Sequence, residues 1–235
     1  MFIHKTAQYS IYFGDARDAI NKQEHCKPSS QPILTQEPFK RIGTMLNLTS
    51  LAFLNQVHGA AGMIVDNKVP AFDCDGDFLI THKKNIGIGI IAADCLPIVF
   101  YDSQQHIAAI AHAGWRGSVA GIVNEVLATL TGKYQTNVNN LQIFFGPCAK
   151  LCCYQVEESF YSQIPIAARQ TIITRDNNFY FDLAEFNYLE LEKCGIARKH
   201  VNYEANACTI CNNQFFSHRA QQANAGRQMN IICLQ

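Results

Sequence analysis

The chain has 235 residues, 48% of them hydrophobic, enough to bury a large core, and the expected organisation is one domain over residues 1–235. Lysine plus arginine and aspartate plus glutamate both number 19, so the formal charge is zero and nothing argues for nucleic acid or an anionic membrane as partner. The most apolar stretch, residues 86–101, is broken by Asp94 and Pro97, and the N-terminus lacks a basic region followed by a long apolar one. Neither a membrane span nor a signal peptide is expected.

Ten cysteines without regular spacing then read as reduced thiols of a cytoplasmic protein, most of them small core residues.

In chain order, residues 1–14 predict one or two short strands. Residues 15–38, with Pro28, Ser29, Ser30, Pro32 and Pro38, predict a loop-rich connection. A short helix over 39–48 leads into 51–59, whose apolar residues end at Asn55, Gln56 and His58. Strands are expected at 78–81, 86–92, 97–101 and 107–111. Apolar residues at 119, 122, 123, 126, 127 and 130 predict a helix over 117–131. A strand at 141–145 stops at Gly146-Pro147; helices near 156–164 and 182–193 follow, then strands near 200–204 and 228–234. The mixture predicts an α+β fold with mixed or antiparallel sheets flanked by helices.

Chemistry concentrates around the strands on either side of residues 102–106. With Tyr101 opposite Ile107, antiparallel pairing sets His112 opposite Leu96, one residue from Cys95. A thiolate beside an imidazole suits zinc, and His58, at the end of an earlier strand, can supply a third ligand. Three protein ligands leave a fourth position for water or substrate, as in catalytic zinc. Asp94, next to Cys95, is the candidate to orient a ligand imidazole. After His112 comes Ala113-Gly114-Trp115-Arg116-Gly117, where Gly114, Arg116 and Gly117 at a helix start form a candidate anion site for phosphate or carboxylate.

Other constellations carry a weaker signal. Cys208-x-x-Cys211 reads as a redox pair, half a zinc site or two buried thiols, and adjacent Cys152 and Cys153 point to different faces. Asp73, Asp75 and Asp77 read as a solvated turn in preference to a cation site, with Asp77, nearest the strand, kept as a site candidate. The segment from Phe215 to Arg219, followed by Gly226-Arg227, can bring polar groups to the site, Ser217 and Arg219 among them; core aromatics plus a solvated loop is the bland reading.

The stretches Gln56-Val57-His58-Gly59, residues 76–81, Ala93-Asp94-Cys95-Leu96-Pro97, His112-Ala113-Gly114-Trp115-Arg116-Gly117, Gly146-Pro147 with Cys152-Cys153-Tyr154, and Cys208-Thr209 with Phe216-Ser217 resemble the YfiH/YlmD family, also called laccase-domain, polyphenol-oxidase-like or DUF152 proteins. The resemblance spans residues 55–227. It implies sheets flanked by helices, zinc at His58, Cys95 and His112, and activity on purine nucleosides: phosphorolysis of adenosine, inosine and methylthioadenosine, and deamination of adenosine. Gln56, Asp77, Gly114, Arg116, Gly117, Ser217 and Arg219 are the candidate substrate residues, with Cys95, His112 and Asp94 as catalytic candidates. Gln155 stands where the family usually has glutamate, and Ser217-His218-Arg219-Ala220 replaces Ser-Tyr-Arg-Arg.

The leading expectation is a zinc-dependent purine nucleoside enzyme, monomer or homodimer, using nucleoside and phosphate. A second enzyme reading makes Cys95 a nucleophile and His112 its base in an amide hydrolase; the resemblance implies a cell-wall precursor as its substrate. A copper oxidase ranks below both, because multicopper clusters need many paired histidines and the eight present include no H-x-H; copper would bind only adventitiously in vitro. A non-enzymatic metal-binding interaction protein is the remaining class.

Overall fold

A computed structural model describes residues 1–29 and 31–235; Ser30, part of the expected 15–38 connection, lies outside the described residues. The α+β expectation holds. One six-stranded sheet runs in the order Phe2–Lys5, Tyr9–Phe13, Gln228–Leu234, Ile86–Ala92, Ser50–Asn55, Ala71–Asp75. A second runs Val201–Asn202, Leu141–Phe145, Leu96–Asp102, Ile107–Ala113, Phe78–Thr81, Gly62–Ile64. Both are mixed: Ser50–Asn55 pairs parallel to Ile86–Ala92, whereas Leu96–Asp102 and Ile107–Ala113 pair antiparallel.

The sheets pack face to face and each carries helices on its outer face. The period-two alternation of a strand explains the layering. Along Leu96–Asp102, Leu96, Ile98 and Phe100 join the cluster formed with the helices Ile122–Tyr134 and Leu183–Lys193, while Val99 and Tyr101 face Ile11, Ile88 and Ile232 of the other sheet. A strand covered on both sides must be apolar throughout, which is why 97–101 reads as a continuous hydrophobic run. On the far side, Phe39–Leu46 lays Phe39, Ile42 and Leu46 against Leu51, Phe53 and Ile231. Among the described residues, no helix is long and apolar enough to cross a membrane.

Several elements differ from expectation. The helix expected over 117–131 is two helices, Trp115–Val119 and Ile122–Tyr134, broken at Gly121, whose φ of 86° is open to glycine at little cost. The expected helix at 156–164 is a 3₁₀ segment, Glu158–Gln163, after the short strand Gln155–Val156. A three-stranded sheet, Gln155–Val156, Asn178–Phe181 and Ile172–Arg175, was not anticipated. The ladder between the two central strands is also displaced by one residue: Asp102 pairs with Ile107, so His112 lies opposite Pro97 and not Leu96. The turn explains this. The Asp102 carboxylate accepts N–H bonds from Gln104 (2.9 Å) and Gln105 (3.1 Å), and His106 takes the left-handed conformation that closes the loop. That keeps Asp102 inside the ladder.

Nor are most cysteines core residues: Cys148 and Cys233 are buried, and the other eight are half-buried or exposed.

Candidate metal centre and cleft

The site forms where the chain crosses between the sheets. His58 follows the strand Ser50–Asn55 of the first sheet, Cys95 ends the three-residue link between Ile86–Ala92 and Leu96–Asp102, and His112 lies within Ile107–Ala113 of the second. One donor atom from each falls within 4.8 Å of the others, so the trio can hold a metal ion. The two imidazoles meet edge to face with centroids 4.9 Å apart.

The displaced ladder matters here. Continued one step, it brings Cys95 across from Gly114, where a Cβ would sit 2.9 Å from Cys95 Sγ and 3.3 Å from His58 Cδ2. Gly114 is therefore needed for room at the donors. Gly117 serves a similar purpose one turn on, since a Cβ there would meet the Gly59 carbonyl at 2.6 Å. Gly117 lies inside the short helix Trp115–Val119, not at its start, and neither glycine lines the cleft. Of the expected anion site only Arg116 faces the cleft, its guanidinium stacked 4.4 Å over the Trp115 ring.

Asp77 stands in the position beside the imidazole expected of Asp94. Asp77 is the carboxylate on the imidazole: its Oδ1 lies 2.9 Å from His112 Nδ1, which leaves Nε2 free to meet a metal ion. It also accepts N–H bonds from Val57 (3.3 Å), His58 (3.0 Å) and Gly59 (2.7 Å). Those bonds hold His58 at φ 61°, a left-handed conformation unfavourable for a residue that carries a Cβ and sustained by the surrounding structure. Burial opposes the charge on Asp77, but His112 and the N–H groups of Gly59 and His58 hold its carboxyl below the usual range. Asp94 lines the cleft but turns its oxygens to the C-terminal region, accepting from Thr209 Oγ1 (2.7 Å) and from the Arg219 N–H (2.7 Å).

Burial disfavours a Cys95 thiolate, yet His112 and His58 outweigh it and the thiol is lowered to about 6. Burial likewise disfavours charge on His112, but Cys95 and Asp77 raise it to about 9. A thiolate is thus ready for a metal at neutral pH.

The trio opens into a cleft of about 350 Å³, a size suited to a small-molecule ligand. Phe72, Trp115 and Tyr154 supply aromatic wall, and Lys22, Arg116, Arg219 and Arg227 supply cations; Asp94 is the carboxylate that lines it among the described residues. Gln56 lines it as well, but its amide is engaged with both backbone groups of Ile91, at 2.8 and 2.9 Å. Ser217 does not line it; its hydroxyl caps the helix His218–Gln221. Lys22, Phe72 and Tyr154 were not singled out in the sequence. Their only sequence signal is the Cys-Cys-Tyr stretch for Tyr154, because loops far apart in the chain bring them here.

A two-sheet α+β body with one thiol and two imidazoles on the floor of a cationic, aromatic cleft defines a protein built around a small-molecule site that can hold a metal. The chain belongs to the family described as multi-copper polyphenol oxidoreductase laccase, whose family model matches residues 17–235. It is 26% identical over 238 residues to a purine nucleoside phosphorylase of Clostridium acetobutylicum, covering 97% of this chain and 93% of that protein. A purine nucleoside phosphorylase of Borreliella burgdorferi is 31% identical over 174 residues, covering 72% and 73%. The match to YlmD of Bacillus subtilis, also named a purine nucleoside phosphorylase, is 30% identical and covers 66% of this chain and 58% of that protein. Among solved structures, Bacillus licheniformis YfiH superposes with a TM-score of 0.84 at 24% identity, over 97% of this chain and 93% of that one. YlmD of Geobacillus stearothermophilus superposes with a TM-score of 0.76 at 26% identity, over 83% and 78%.

Proposed function

We propose that this chain is a zinc-dependent purine nucleoside phosphorylase acting on adenosine, inosine and methylthioadenosine. The observation that carries the reading is the convergence of His58, Cys95 and His112 beneath a cleft lined by both cations and aromatic rings, together with relatives that carry the name purine nucleoside phosphorylase. One thiolate with two imidazoles suits zinc and leaves a coordination position for a fourth ligand. Laccase-type copper chemistry fits less well, because the histidines lining the cleft among the described residues are His58, His112 and His218. When bound, zinc supplies Lewis acidity toward a substrate oxygen.

The chain's own residues account for the remaining requirements. Phe72, Trp115 and Tyr154 offer faces for a purine base. Arg116 and Arg219 provide fixed positive charge for phosphate, with Arg219 held by its Nη1 bond to the Gln155 carbonyl at 2.8 Å. In the reaction, a phosphate oxygen forms a bond to the ribose anomeric carbon as the bond from that carbon to the purine nitrogen breaks. The products are the free base, which takes up a proton, and ribose 1-phosphate, or 5-methylthioribose 1-phosphate from methylthioadenosine. Asp77 keeps His112 in one orientation throughout.

The test is turnover of inosine with phosphate by purified, zinc-loaded protein. Hypoxanthine and ribose 1-phosphate are expected, with loss of turnover in His58→Ala. Folded, zinc-loaded protein without turnover of any of the three nucleosides overturns the reading. With adenosine, adenine as product marks phosphorolysis and inosine marks deamination.

A further inference from the structure

Outside the cleft, a second cluster of metal-binding side chains stands at the surface. Cys152 and Cys153, in the turn after Gly146-Pro147, and Cys208 and Cys211, in the C-terminal loop, bring their four sulfurs within 4.8 Å of one another. All four are free thiols, and Cys152 Sγ lies 3.9 Å from Cys211 Sγ. An ion bound at about 2.3 Å by four sulfurs places them about 3.8 Å apart at the corners of a tetrahedron, whereas a disulfide closes that distance to about 2.05 Å. The sequence spacing alone makes the vicinal pair look divergent. The tight turn at 151–153 and the facing C-x-x-C bring both members to one point.

Backbone N–H groups of Cys211, Lys150 and Ile210 point to the Cys208 sulfur. Arg175 donates Nη2 to the Cys152 carbonyl at 2.9 Å, adding a positive charge beside the cluster.

The two loops are already aligned by backbone bonds. Cys148 N–H donates to the Ala207 carbonyl (3.0 Å) and Thr209 N–H to the Cys148 carbonyl (2.9 Å). They also meet the cleft: the Ala149 N–H donates to the Asp94 carbonyl and Thr209 Oγ1 to its carboxylate, and the loops lead to Tyr154 and Arg219 in the cleft wall.

We propose that Cys152, Cys153, Cys208 and Cys211 form a second metal site, taking a thiophilic divalent ion of the zinc class with four sulfur ligands, and that it fastens together the two loops that carry Tyr154 and Arg219. Binding displaces the thiol protons to solvent and involves no change of oxidation state. The loops have little regular structure of their own, so a crosslink between residues 59 apart in the chain restricts them where backbone ladders do not. The inference stands independently of the activity proposed for the cleft.

The experiment measures zinc per chain by plasma mass spectrometry on full-length protein purified with zinc and without chelator. Two equivalents are expected in the wild type, and one in each of Cys152→Ser/Cys211→Ser and His58→Ala/His112→Ala. After exchange, cobalt(II) in the His58→Ala/His112→Ala protein should show the intense visible bands and sulfur-to-metal charge transfer of tetrahedral thiolate coordination. The inference is overturned by one equivalent in the wild type with none in His58→Ala/His112→Ala. Recovery of the four cysteines as two disulfides in freshly purified wild type, seen as a mass lower by four hydrogens, also overturns it. Because His58→Ala/His112→Ala leaves the cysteines untouched, the result does not depend on the serine variant folding.

Discussion

Asp77 Oδ1 sits 2.9 Å from His112 Nδ1, and the same carboxylate receives the N–H groups of Val57, His58 and Gly59. One buried side chain therefore orients two of the three candidate metal donors, one through its ring and the other through its backbone. Asn at position 77 keeps a single acceptor oxygen and no charge. Asp77→Asn is expected to weaken zinc at the cleft by roughly 10–100-fold, read by competition with a chromogenic chelator. Wild-type affinity in a folded Asp77→Asn protein would show that the carboxylate does not orient the site.

Gly114→Ala probes the space at the donors. The added methyl group meets Cys95 Sγ at 2.9 Å and His58 Cδ2 at 3.3 Å, and φ at this position is an ordinary −71°, so the backbone itself tolerates alanine. The expected result is a loss of zinc affinity of at least about tenfold with the thermal midpoint lowered only slightly, since overpacking of this kind costs about 1–3 kcal/mol and is relieved by moving the sulfur. Unchanged affinity by the same chelator competition would contradict the close approach of residue 114 to the donors.

Cys95 should be among the reactive thiols of chelator-stripped protein, with Cys208, whose thiol is lowered to about 7. Burial opposes the ionisation of Cys95, but His112 and His58 lower it to about 6, so its alkylation by iodoacetamide should rise with pH through about 6 and be nearly level by pH 8. Cys148 and Cys233, pushed up to about 12 by burial, should stay unmodified over that range. Peptide mapping separates these thiols. His112→Asn should move the midpoint upward, and zinc should protect Cys95; a midpoint near 9 in the wild type would remove the assigned influence of His112.

Asp18 gives a pH dependence of stability remote from the cleft. It is fully buried, accepts from Tyr12 Oη and from the Met229 N–H at 2.9 Å, and lies 3.3 Å from the Arg41 guanidinium. Burial outweighs these partners and raises its carboxyl from 3.8 to about 6. A folded-state value above the unfolded one means that the folded protein holds the extra proton. This group's contribution is complete below pH 4 and is lost as pH rises through 6, by on the order of 3 kcal/mol. Denaturant melts of wild type and Asp18→Asn from pH 4 to 7 should give a stability difference that shifts in favour of Asp18→Asn as pH rises. A difference independent of pH would place the Asp18 value at an unperturbed one.

Much of the architecture could be read along the chain because it depends on local periodicity. The strands at 78–81 and 86–92, the terminal strand and the helix starting near Asp182 each carry a pattern that their own neighbours establish. The ladder between Leu96–Asp102 and Ile107–Ala113 was legible as a hairpin but not in register, because one carboxylate, Asp102, closes the turn from inside the paired residues. Short strands such as Gly62–Ile64 and Ile172–Arg175 were not legible, since pairing with distant partners and not alternation defines them.

The sequence by itself pointed to Cys95 and His112 as neighbouring candidate donors, through the hairpin that joins their strands, and the family resemblance of its motifs added His58. Tertiary structure alone decided that Asp77 and not Asp94 faces the imidazole, that Gly114 leaves room for the sulfur, and that Cys152, Cys153, Cys208 and Cys211 meet at one point. Periodicity records which face of an element is buried. Which carboxylate or thiol reaches a given atom depends on how loops tens of residues apart cross, and such non-local contacts leave no regular mark on the chain.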